Sequence, residues 1–137
     1  MFSIGQLSAK TGVKIPTIRY YEQMGLIENA GRTTGNQRRY DQAGLERLSF
    51  IRHARELGLS IEDIRELVEL SRHPDQPCTR AHALAGHHLQ SVRARISKLK
   101  KLEKELARIA TLPDEGHVGS CNVIHALADH SLCKGNH

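Results

Sequence analysis

Tryptophan is absent from this 137-residue chain, and aromatic residues make up 4% of it. So few aromatic side chains argue against one large globular core and favour a helical protein built on leucine, isoleucine and alanine. No apolar run approaches the roughly 18 residues that a membrane span needs, and the N-terminus lacks the pattern of a signal peptide. We therefore expect a cytoplasmic protein with no membrane partner.

Cysteine is also scarce. The chain has three, at positions 78, 121 and 133, and an odd number cannot pair completely. A secreted disulfide scaffold is therefore excluded, and free thiols in the cytoplasm suggest metal binding or redox chemistry.

Positive charge is concentrated at one end of the chain. Residues 1–40 hold six Lys or Arg and two Glu, so they account for +4 of the net charge of +5. Such a local excess is typical either of a solvated basic face or of a surface that contacts phosphate groups.

The first seventy residues have the outline of a winged helix-turn-helix. Ser3 and Gln6 have capping-box spacing for a first helix, and Pro16 suits the first turn of a second. Extended pieces around Thr33-Thr34-Gly35-Asn36 predict a β-hairpin, or wing. Asp41 and Ser60 then cap two further helices.

One long helix is predicted from Thr79 to about Ala110, because this segment contains no proline. Val92, Leu99 and Leu106 are spaced by seven, which is a heptad pattern. An apolar stripe on an otherwise charged helix favours a homodimer through a coiled coil. The alternative is that the helix packs on its own N-terminal domain.

The predicted second helix and wing carry the side chains suited to DNA. Arginine can bond guanine bidentately, hydroxyl groups can bond phosphates or base edges, and wing cations can fix register on the backbone. One of the two adjacent tyrosines is expected to pack in the core. The candidate DNA-binding residues are Lys14, Thr17, Arg19, Tyr20, Tyr21, Arg32, Asn36, Arg38, Arg39 and Tyr40.

Several motifs, in this order and spacing, resemble the MerR family of transcriptional regulators. They are Ile4-Gly5-Gln6-Leu7-Ser8, Thr17-Ile18-Arg19-Tyr20-Tyr21-Glu22, Gly25-Leu26-Ile27, Asn36-Gln37-Arg38-Arg39-Tyr40 and Ile51-Arg52-His53-Ala54-Arg55-Glu56-Leu57-Gly58. The resemblance implies a homodimer with an antiparallel coiled coil on double-stranded promoter DNA. It also implies that an inducer distorts the operator so that RNA polymerase can use a promoter whose elements are too far apart.

Chain geometry limits how Cys78 and Cys121 can meet. The long helix spans about 48 Å, whereas the eleven residues from Ala110 to Cys121 reach at most about 40 Å. Cys121 therefore cannot return to Cys78 of its own chain unless the helix breaks. In an antiparallel dimer it would lie near Cys78 of the partner subunit instead.

A thiolate pair with His117, and with Asp114 or Glu115 nearby, offers the donors that zinc accepts. A cysteine at the start of the dimerisation helix also resembles the divalent-metal-responsive branch of the family (zinc, cadmium, lead and mercury). This chain lacks a further cysteine at the head of the loop, which favours Zn²⁺, with Cd²⁺, Co²⁺ and Pb²⁺ as alternatives. Asp114 and Cys133 are additional candidate ligands.

The sequence therefore predicts a mainly α protein in three parts. These are a winged helix-turn-helix domain (1–73), an antiparallel coiled-coil dimerisation helix (74–110), and a metal-binding loop, short helix and tail (111–137).

The predicted function is activation of a metal efflux or resistance promoter. A thiol-redox or electrophile sensor of the same family is the alternative. A sequence-independent DNA-packing protein would bind without any metal dependence. An enzyme is not expected, because the chain contains no HExxH or comparable motif.

Overall fold

A computed structural model describes residues 1–129 of the chain. These residues are mainly helical and form two compact units, the first from Met1 to Leu84 and the second from Ala85 onward. The functional boundaries predicted at 73/74 and 110/111 stay predictions. Cys133 lies outside the described residues.

The first two helices begin where the sequence predicts. Helix α1 spans Ile4–Thr11, and Ser3 and Gln6 form the predicted capping box. Gly12 ends this helix with a φ of 77°, in the left-handed region that glycine adopts at low cost. Helix α2 spans Ile15–Gln23 and has Pro16 in its first turn.

The wing is a three-stranded antiparallel sheet. Its strands are β1 (Phe2–Ser3), β2 (Gly31–Arg32) and β3 (Arg38–Tyr40), in the order β1-β3-β2. The predicted hairpin is confirmed in β2 and β3, with Arg32 opposite Arg38. Strand β1 is an addition that the sequence analysis missed, and it ties the N-terminus to the wing.

Two further helices complete the first unit. Helix α3 spans Gln42–Glu56 and α4 spans Ile61–Ser71. Asp41 and Ser60 cap them as predicted, each accepting a backbone N–H three residues on. The helices and the wing enclose one core, which includes Leu7, Val13, Ile18, Tyr21, Leu26, Ile27, Tyr40, Leu48, Ile51, Ala54, Ile64 and Val68.

Helix α5 spans Thr79–Ala110, as predicted. A loop with a 3₁₀ turn (Val118–Ser120) follows, and then helix α6 (Asn122–Ala128). Within residues 1–129, every helix falls short of the length or the apolar content that a bilayer-spanning segment requires.

An apolar stripe on α5 faces solvent in the single chain. Large side chains that would ordinarily be buried remain 46–63% exposed, namely Leu89, Ile96, Leu99 and Leu106. A stripe of this kind on a long helix is typical of a surface that a partner covers.

Candidate nucleic-acid interface and metal-binding loop

The N-terminal half of α2 presents long polar side chains to solvent. Lys14 and Arg19 are exposed, Thr17 is half-buried, and Tyr20 is 46% exposed. Successive residues of a helix point about 100° apart, so Tyr21 turns into the core, where it is 7% exposed. The expectation that one tyrosine packs inside is confirmed. Tyr21 also lines a surface depression with Lys14 and Thr17, and its assignment as a DNA contact stays a prediction.

A basic depression lies between α2 and the wing. Arg19, Tyr20, Arg32 and Arg38 are among the residues that line its volume of about 530 Å³. Arg32 is exposed and donates to the side-chain oxygen of Asn36 at 3.2 Å. Its partner is neutral, so the full charge of Arg32 remains available to a phosphate group.

Glu22 links α2 to the wing through two of the predicted DNA-binding residues. Its Oε2 atom lies 3.0 Å from Nε of Arg38, and its side chain is 13% exposed. Its Oε1 atom accepts hydrogen bonds from the Tyr40 hydroxyl at 3.1 Å and from the Asn29 amide at 3.3 Å.

Tyr40 is a core residue. Its side chain has no exposed surface, and burial, reinforced by the charge of Glu22 and the hydrogen bond to it, raises the pKa of Tyr40 to about 12. The prediction that Tyr40 contacts DNA is therefore wrong, because the ring is enclosed and its hydroxyl is already used.

The loop after α5 carries three of the predicted metal ligands. Asp114, His117 and Cys121 are among the residues that line one depression of about 370 Å³. Asp114 Oδ1 accepts the backbone N–H of Gly116 at 2.8 Å, and the Asn122 amide donates to the Pro113 carbonyl at 2.7 Å. These bonds fold the loop back on itself.

Cys78 is exposed immediately before α5, and Cys121 is half-buried; both are free thiols. Among residues 1–129 no three His, Cys, Asp or Glu side chains of one chain gather closely enough to hold a metal ion. Thiol, imidazole and carboxylate groups are donors that zinc accepts. The predicted site shared between subunits stays a prediction.

Comparison with known proteins decides the family. A family model described as MerR HTH family regulatory protein matches residues 2–70, and one described as MerR, DNA binding matches residues 45–109. The chain belongs to the MerR family. It is therefore a transcription regulator and not an enzyme, and the resemblance seen in the sequence is confirmed.

Individual MerR relatives cover most of the chain. The HTH-type transcriptional regulator ZntR of Escherichia coli (strain K12) is 41% identical over 110 residues, which are 80% of this chain and 78% of that protein. The transcription regulator PbrR691 from Ralstonia metallidurans CH34, solved in complex with lead(II), is 34% identical with a TM-score of 0.81. That match covers 93% of this chain and 99% of PbrR691.

A third relative was solved with DNA. HiNmlR, a MerR family regulator lacking the sensor domain and bound to promoter DNA, is 25% identical with a TM-score of 0.59. The match covers 82% of this chain and 96% of HiNmlR. The family model that matches residues 45–109 is itself described as DNA binding, so this chain is a DNA-binding regulator.

Two acidic residues of this MerR chain escaped the sequence analysis. One is Glu22, described above. The other is Glu66 on α4, which forms a two-pronged ion pair with Arg80, two residues after Cys78. Arg80 lowers the pKa of Glu66, chiefly through the hydrogen bond. A spacing of fourteen residues across a loop gives no local signal for such a pair.

Proposed function

We propose that this regulator senses a divalent metal ion, zinc foremost with cadmium, cobalt or lead as alternatives, and activates a metal efflux or resistance promoter. It would act on the chromosome in the cytoplasm, where distortion of the operator lets RNA polymerase use the promoter. The observation that carries the proposal is that Asp114, His117 and Cys121 all line one depression in the loop after α5. The lead(II) complex of PbrR691, whose fold this chain matches, supports it.

The proposed ligands are Cys121 and His117 from one subunit and Cys78 of the partner subunit. One thiolate, one imidazole and a second thiolate form a set that zinc accepts in tetrahedral geometry, and Asp114 offers a fourth, oxygen donor. Bound there, the ion would supply an electrostatic link between two segments. Cys121 and His117 would fix the loop, and Cys78 would fix the start of α5.

A homodimer through α5 is part of the proposal. The exposed Leu89, Ile96, Leu99 and Leu106 support it, since a second copy in antiparallel orientation would cover this stripe and bring the loop of one subunit to the partner's Cys78. Each dimer would then carry two identical metal sites.

A heterodimer of two complementary variants tests the shared site. One protomer carries Cys78→Ser and the other carries Cys121→Ser, so one site keeps both thiols and the other loses both. We expect the heterodimer to bind one Co²⁺, used as a coloured substitute for zinc, with wild-type affinity, while each homodimer binds weakly. A heterodimer as weak as both homodimers would overturn the shared site.

Transcription tests the function itself. Run-off transcription from the promoter of the neighbouring gene should rise when zinc is titrated, and should fail to rise with His117→Ala. Failure of every divalent ion to activate would refute metal sensing. If His117→Ala leaves zinc affinity unchanged while peroxide alters DNA binding, the thiol-redox alternative is correct.

A further inference from the structure

We propose that Glu22 is a positioning residue for DNA recognition, and that Arg38 is its structural partner and not a phosphate ligand. The carboxylate of Glu22 joins α2, the recognition helix whose side chains we expect to contact the bases, to the wing. It therefore sets the distance between the two surfaces that contact DNA. The inference depends only on DNA binding by the winged helix-turn-helix domain, the head of the chain. It is therefore independent of metal sensing.

The contacts of Glu22 reach three separate segments. Glu22 itself lies in the last turns of α2, Arg38 and Tyr40 lie on β3, and Asn29 lies in the segment leading into β2. With its side chain 13% exposed, the carboxylate is largely removed from water, where a charge must be paired. Loss of the charge therefore loosens the helix from the strand.

Arg38 is committed to this pair. Its Nε atom is buried, has no hydrogen-bond partner among residues 1–129 and lies 3.0 Å from Glu22 Oε2, so the contact between them is a charge contact. A phosphate group that drew Arg38 away from Glu22 would leave this carboxylate largely buried without its counter-ion, which is costly. Arg32 provides a matched contrast, because it stands opposite Arg38 in the sheet, lines the same depression and has a neutral partner.

The recognition side chains depend on the same link. Arg19 precedes Glu22 by three residues and therefore lies on the same face of α2. It lines the same depression as Glu22 and Arg38. When Glu22 holds α2 against β3, Arg19 and Arg32 both line this one depression. Arg19 can then contact the bases while Arg32 contacts the backbone.

The salt dependence of DNA binding distinguishes the proposed phosphate ligand Arg32 from the proposed structural partner Arg38. An operator duplex, selected from a random library by the wild-type protein, is titrated with metal-free protein at several salt concentrations. Each phosphate contact contributes about 0.9 to the slope of log affinity against log salt. Arg32→Gln should reduce the slope by about one per protomer, whereas Arg38→Gln should weaken binding and leave the slope nearly unchanged. An equal loss of slope in both variants would overturn the proposal.

The isosteric variant Glu22→Gln tests positioning directly. It keeps a side-chain oxygen for Tyr40 and Asn29 but removes the charge that holds Arg38. We expect operator affinity to fall about tenfold, as for loss of a charged contact. Affinity for a scrambled duplex should not fall, since removal of a negative charge favours non-specific binding. Operator binding equal to or tighter than that of the wild type would overturn the proposal.

A double-mutant cycle tests the ion pair itself. The double variant Glu22→Gln with Arg38→Gln keeps an acceptor for Tyr40 and Asn29, so its loss of operator affinity should be smaller than the sum of the two single losses. Fully additive losses, in variants with native circular dichroism spectra, would count against the pair. If Glu22→Gln does not fold, the slopes of Arg38→Gln and Arg32→Gln still decide the question.

Discussion

Alkaline pH should destabilise the winged head through one phenol. Burial and the neighbouring carboxylate of Glu22 raise the pKa of Tyr40 to about 12, from an ordinary value of 10.0 that we take for the unfolded chain. The folded state therefore binds the phenolic proton more tightly than the unfolded state does. This contribution to stability is fully present below about pH 10 and is lost as the pH rises through about 12.

The magnitude follows from the size of the shift. Each pKa unit corresponds to about 1.4 kcal/mol, so the two-unit shift is worth about 2.7 kcal/mol in total. At about pH 11, midway between the two values, about half of this, or 1.4 kcal/mol, should already be lost. The ring is fully enclosed, but its hydroxyl bonds to the partly exposed Glu22, so about 2.7 kcal/mol is the upper limit of this contribution.

Comparison with Tyr40→Phe separates the loss of stability caused by Tyr40 ionisation from the loss caused by titration of the lysines. At neutral pH the variant should be less stable by about 1.5–3 kcal/mol, the usual contribution of a hydrogen bond to a charged group. Urea unfolding at fixed protein concentration is measured at about pH 8 and about pH 11. The difference in free energy of unfolding between the wild type and Tyr40→Phe should be about 1.4 kcal/mol smaller at the higher pH. The difference in absorbance near 295 nm between the wild type and Tyr40→Phe reports the ionisation of the Tyr40 phenol.

If the difference in free energy of unfolding between the wild type and Tyr40→Phe is the same at both pH values, this reasoning is refuted. It would mean that the folded and unfolded states bind the Tyr40 proton equally well. An absorbance step at the ordinary tyrosine pKa in the folded protein would refute it as directly, because it would show the hydroxyl in contact with water.

Three further predictions concern other parts of the chain. Leu99→Ala should weaken dimerisation by about 2–5 kcal/mol per buried leucine, whereas the exposed control Lys100→Ala should not, and sedimentation at several concentrations distinguishes them. Asp41→Ala removes the cap of α3 and should lower the free energy of unfolding by about 0.5–2 kcal/mol; an unchanged urea midpoint would contradict this role. Glu66→Arg and Arg80→Glu should each lower metal-dependent transcription while metal affinity persists, and the double change should restore it.

Local signals predicted most of the fold. The caps at Ser3, Asp41 and Ser60 are confirmed because a capping side chain and its target N–H are three residues apart in sequence. The bounds of α5 are confirmed for a similar reason, since prolines stop before it and resume after it. Strand β1 was missed because its two residues pair with β3, some forty positions away, and nothing local marks them.

The candidate site was less predictable, because its contacts are distant in sequence. Composition identified the basic head, and adjacent Tyr20 and Tyr21 had to face different ways, but sequence could not say that Tyr40 and Arg38 both turn towards Glu22. The metal ligands present a harder case. They lie in separate segments, and one chain does not bring three of them together within the described residues.

One ion pair, between Glu66 and Arg80, connects the start of α5, where the proposed metal ligand Cys78 lies, to the DNA-binding helices. Arg80, beside Cys78, is held to Glu66 on α4, and the buried face of α4 belongs to the same core as Tyr21 on α2. Tightly packed cores transmit displacement, so a shift at Cys78 has a continuous route to the recognition helix. Physical proximity alone does not prove coupling. The reversed pair of Glu66 and Arg80 provides the test, because it restores the contact without restoring either original side chain, and recovered activation would require that the contact itself carries the signal.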